Sequence, residues 1–180
     1  MNAQPTAPPP LVLSIGGEKT IRSAVKGRAV GWWLRRPHCN VTIAAHIANG
    51  GGFAKGEAYL TRAIGPGTST ADEIARTTFD LPYPFDGWFN LFTDLHLETG
   101  EYWLVIAKPR DTTFSSLNWI LANPMSLKTS DAIRYIGTTA YTYDSDVADY
   151  LPASKFGPKY EPYGFEFELT GHEVFTEHSH

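Results

Sequence analysis

The stretch from Trp88 to Lys108, WFNLFTDLHLETGEYWLVIAK, constrains this chain most, because its apolar residues recur at every second position. Leu95 and Leu97 fall on one parity; Asp94, His96 and Glu98 fall on the other. Side chains alternate across a strand, so this is a strand with one buried face and one wet face. Thr99-Gly100 follows as a turn, since glycine takes a positive φ at little steric cost. Beyond it, Tyr102, Leu104 and Ile106 share one face, while Trp103, Val105 and Ala107 share the other. An arm that is apolar on both faces is either covered on both sides or presents Trp103 as a ligand platform. Lys108-Pro109 ends the arm, because proline cannot donate to a ladder. The two arms read as a hairpin.

The same period of two recurs along the chain. In the segment 40–49, Val41, Ile43, Ala45 and Ile47 point one way and Thr42, Ala44 and His46 the other. In the segment 163–170, Phe165, Phe167 and Leu169 are expected inside, with Glu166, Glu168 and Thr170 in solvent. Further short strands are expected at 11–15, 21–26, 29–35, 57–64, 75–81, 117–121 and 132–143. Gly65-Pro66-Gly67-Thr68 reads as a loop, and Thr70-x-x-Glu73 has the spacing of a capping box that opens one helical turn. Residues 144–160 read as irregular and acidic. No helical pattern of strand-to-strand crossover length separates the strands, which argues against a parallel α/β sheet. Aromatics make up 13% of the 180 residues, and glycine and proline together number 29, so aromatic-rich strands are punctuated by turns. We therefore expect a single all-β domain, an antiparallel β-sandwich of jelly-roll type with about 8–10 strands. It should span 11–171, after a flexible Pro-rich lead-in at 1–10 and before a disordered tail at 172–180. A closed barrel of lipocalin type is the alternative.

The formal net charge is -4, which disfavours a general affinity for nucleic acid or anionic membrane. One cysteine, Cys39, allows no intrachain disulfide and reads as a small packed side chain. No apolar run approaches the roughly 20 residues of a membrane helix, and the first residues lack the basic and apolar regions of a signal peptide.

Four groups of residues bear on chemistry. Asp144, Asp146 and Asp149 in YDSDVADY place several oxygens on one loop, the donor set that calcium takes, although EF-hand spacing is absent. His172, His178 and His180 with Glu173 and Glu177 resemble a zinc set only in composition, because they lie at the chain end. Asp94/Glu98 and Glu166/Glu168 would serve a glycosidase only if they faced one another across a cleft. No Gly-x-Ser-x-Gly elbow is present. The tryptophans are the stronger lead: flat aromatic faces stack on sugar rings at small entropic cost, and Trp33, Trp103 and Trp119 are the candidate stacking residues.

GEAYLTRAIGPGTSTADEIARTTFDL, followed by LHLETGEYWLVIAKP and LNWIL, resembles exported bacterial β-sandwich modules, those of PEP-CTERM-class secreted proteins and the pre-peptidase C-terminal type of domain. The likeness spans roughly residues 29 to 121. The chain lacks the Pro-Glu-Pro sorting signal, its membrane anchor and an attached protease. The resemblance implies an extracellular, non-catalytic module and transfers no functional residue. The expected function is therefore a secreted or cell-surface accessory or binding module. A carbohydrate-binding module with the three tryptophans and a calcium site is the alternative, and a glycan-active hydrolase with paired carboxylates comes third.

Overall fold

The computed structural model describes residues 9–25, 27–109, 111–143, 149–155 and 164–175. These form fifteen strands: β1 (Leu11–Gly16), β2 (Thr20–Ala24), β3 (Arg28–Leu34), β4 (His38–Asn49), β5 (Ala54–Thr61), β6 (Gly65–Ser69), β7 (Glu73–Leu81), β8 (Phe85–Leu97), β9 (Gly100–Ala107), β10 (Leu117–Ala122), β11 (Ser126–Thr129), β12 (Ile133–Tyr143), β13 (Asp149–Lys155), β14 (Gly164–Phe165) and β15 (Phe167–Glu173). The expected helical turn is a 3-10 turn at Thr70–Asp72. No helix among the described residues is long and apolar enough to cross a membrane.

The strands build two antiparallel sheets packed face to face, the expected all-β sandwich. The first runs β11-β1-β15-β4-β10-β14, with β8 added along β4 and β2 along β10; the second runs β6-β13-β12-β3-β9-β5-β7. This strand order does not establish jelly-roll wiring. The core lies between the sheets. Trp32 of the second sheet is fully buried, 6.0 Å from Tyr102 beside it and 5.6 Å from Phe167 of the first sheet. Leu13, Ile43, Ile47, Leu104, Ile106 and Leu169 fill in around this stack, all fully buried.

The expected hairpin at Thr99-Gly100 is instead a corner between sheets. β8 pairs with β4 in the first sheet, whereas β9 pairs with β3 and β5 in the second. Both apolar faces of β9 are packed. Tyr102, Leu104 and Ile106 enter the main core, while Val105 joins Ala29 and Tyr59 in a smaller cluster on the outer side of the second sheet. Gly100 turns the corner at φ +143°, where an L side chain is strained. The Tyr102 hydroxyl donates to the Glu98 carbonyl at 2.6 Å and ties the two arms. Arg62 lies 4.3 Å above the Tyr102 ring.

Four further expectations are corrected. The segments expected as a loop at 65–68 and as irregular chain after 144 contain β6 and β13, which pair with each other. β15 runs on through Glu173, past the expected boundary at 171: His172 stands opposite Cys39 and Glu173 opposite His38, and the Glu173 carboxylate holds Arg36 at 2.9 Å. Glu166, expected in solvent, is 5% exposed.

Candidate functional site

The buried position of Glu166 leads to a polar cluster on the first sheet. Residues 164–173 form one edge-to-edge run broken at Glu166, where β14 leaves β10 and β15 joins β4. At this fork the Glu166 amide donates to the Ile120 carbonyl, and the Glu166 carbonyl accepts from the His46 amide. The side chain emerges on the outer face of the first sheet, where its Oε2 lies 2.5 Å from Nδ1 of His46. The other ring nitrogen, Nε2, lies 2.9 Å from Oδ1 of Asp86, whose Oδ2 accepts from Arg22 at 2.6 Å.

Parity places these groups together. Phe85 and Phe89 of β8 face the core, so Asp86 and Trp88 face outward. Register sets Trp88 opposite His46 and Asp86 opposite Ala48. The Trp88 indole stacks on the imidazole, centroids 5.6 Å apart and planes at 27°, and is itself 46% exposed. Arg22 comes from β2, on the far side of β10 and β4, so its ion pair with Asp86 spans the intervening strands. The result is a continuous polar chain, Glu166–His46–Asp86–Arg22, with an aromatic plate on it.

The hydrogen bond from Arg22 holds the Asp86 carboxyl below the usual carboxylate range, with His46 adding to the effect and partial burial opposing it. A carboxyl depressed in the folded state adds stability above its unfolded value near 4, and that stability is lost as pH falls through the lower folded value. Both partners are more than a third exposed, so solvent screening keeps the contribution below about 1 kcal/mol. Asp86→Asn should therefore lower unfolding free energy slightly at neutral pH. The gap from the parent should close below about pH 4, in denaturant titrations across the acid range.

The sequence candidates are dispersed. Trp119 is fully buried, stacked on Phe165 at 4.6 Å with its Nε1 donating to the Glu166 carbonyl at 2.9 Å, so it has no face for a ligand. Its inward parity on β10, a strand flanked by β2 and β4, accounts for this correction. Trp33 and Trp103 do share a surface, the outer face of the second sheet. Gly31 stands opposite Trp103 and Trp33 opposite Glu101, which makes the two tryptophans diagonal neighbours. Trp103 is half-buried and lies against Gly31, where an added Cβ would come within 2.7 Å of its ring carbons; Glu101 accepts from its Nε1 at 2.6 Å. Trp33 is 38% exposed. Asp144 and Asp146 lie outside the described residues. Asp149 opens β13 opposite Ser69, and its side chain is also outside them. Among the described residues no group of three or more His, Cys, Asp or Glu is arranged to hold a metal ion. His178, His180 and Glu177 lie outside the described residues.

Sequence reading missed Trp88 as a stacking residue, although a signal was present. Trp88 shares parity with Asp86 and Asn90, opposite to Phe89 and Leu91, and a tryptophan on the wet parity of a strand points away from the core. No protein family, curated protein or solved structure matches the chain.

Proposed function

We propose that this domain is a non-catalytic binding module and that its ligand is a glycan seated on the outer face of the first sheet. The observation that carries this reading is Trp88: an exposed indole with one face on His46, beside an Asp86–Arg22 pair fixed at 2.6 Å. A sugar ring offers an apolar C–H face to an indole and hydroxyls to adjacent acceptor and donor groups, and here all three are held before the ligand arrives. The setting that suits this reading is outside the cell or at its surface, in line with the resemblance to exported modules.

The hydrolase alternative is weaker. Asp86 and Glu166 lie on opposite sides of His46, whose ring occupies the space where a scissile bond and a water would have to sit.

Affinity electrophoresis through gels containing hydroxyethyl cellulose, xylan or galactomannan tests the reading. The parent chain should be retarded by at least one of these. Trp88→Ala should weaken that binding about thirtyfold, the loss typical of an aromatic hot spot, with an unchanged unfolding midpoint. Full retardation of the variant, or none of the parent, contradicts it.

A further inference from the structure

We propose that the outer face of the first sheet is a track for an extended, neutral polysaccharide chain, running across five strands from Trp88 to a pocket beside Lys128. This rests on the glycan reading above and specifies its ligand. Register defines the track. Asn90 on β8 stands opposite Ala44 on β4, Ala44 opposite Glu168 on β15, Glu168 opposite Ser14 on β1, and Ser14 opposite Lys128 on β11. Four steps between strands about 4.8 Å apart give a row of about 19 Å, longer than any single sugar ring. Trp88 and His46 flank its β8 end, and Ser14 Oγ lies 3.5 Å from Glu168 Oε1 midway.

The row ends in a cavity of about 440 Å³ lined by Ser14, Gly16, Glu18, Met125, Ser126 and Lys128 among others. That size falls within the range of small-ligand sites. Gly16 keeps it open: no atom lies within 4 Å of where its Cβ would be, whereas a Cβ on the adjacent Gly17 would come 2.6 Å from the Pro124 carbonyl oxygen. Lys128 stands with Glu168 and Glu18 along the track, and the Asp86–Arg22 pair lies beside its β8 end, so donors and acceptors are mixed without a block of one sign. Hydroxyls, which donate and accept, match such a surface. An acidic polymer would meet these carboxylates and a chain of net charge -4.

The test is calorimetric titration of the full chain with cellohexaose, xylohexaose and mannohexaose and with the corresponding disaccharides. At least one hexasaccharide should bind about tenfold or more tightly than its disaccharide, since only the longer chain reaches the pocket. Gly16→Phe should weaken hexasaccharide binding about tenfold and leave disaccharide binding unchanged. Ser126→Trp, on the exposed strand opposite Gly16, should do the same and serves if the glycine variant does not fold. Equal affinity for long and short chains, or full hexasaccharide affinity in both variants, overturns the track while leaving the Trp88 reading in place. Binding that survives Trp88→Ala, or no binding by any hexasaccharide, overturns both.

Discussion

A Trp119→Ala chain is expected to unfold with about 3–5 kcal/mol less free energy than the parent, the usual cost of emptying a large aromatic site in a packed core. Trp119 is fully buried and stacked on Phe165, so alanine leaves a cavity that neighbouring strands, held by their ladders, close only in part. The loss also reaches the outer face of the first sheet. The Glu166 carbonyl, which accepts from Trp119 Nε1, also accepts from the His46 amide. Trp119→Phe should keep most of the stacking and lose mainly the hydrogen bond, a net cost of about 1–2 kcal/mol. Urea titrations of both variants check the order.

The second large effect is expected at His46. Among the described residues, His46 is the partner of the Glu166 carboxylate, whose side chain is 6% exposed. His46→Ala leaves that carboxylate in a dry site with its donor removed, and breaking one side of a buried pair costs far more than the pair contributes. The His46 side chain is 21% exposed, so the expected destabilisation sits low in the usual range, about 2–3 kcal/mol. The diagnostic is the double variant. Glu166→Gln in the His46→Ala background replaces the stranded charge with a neutral amide and should recover about 1 kcal/mol or more, a clear departure from additivity in a double-mutant cycle. Additive losses in that cycle would show that His46 and Glu166 are not coupled.

The legible part of this fold is the part governed by side-chain parity. In β4 and β15 the alternation is regular, and Val41, Ile43, Ile47, Phe165, Phe167 and Leu169 are all fully buried as expected. Parity names a face but no partner, which is why β8 and β9 read as a hairpin when each belongs to a different sheet. β6 and β11 are short and lack an apolar stripe; backbone pairing at the sheet margins makes them strands, and no local composition announces it. The site shows the same division. Glu166 has the outward parity expected of it, yet it is buried, because Arg22 from β2 and Asp86 from β8 meet across strands far apart in sequence and His46 closes over it. Trp119 and Trp88 look alike as letters, and only their parity relative to Phe165 and Phe89 separates core from surface.

The most direct test of the central claim is an NMR titration that follows the indole N–H resonances, each assigned by single Trp→Phe substitution, as cellohexaose, xylohexaose or mannohexaose is added. The Trp88 resonance should move in a saturable way with the hexasaccharide that binds, while those of buried Trp32 and Trp119 stay in place. A titration that moves Trp33 and Trp103 and leaves Trp88 still would put the ligand on the opposite sheet and contradict the account.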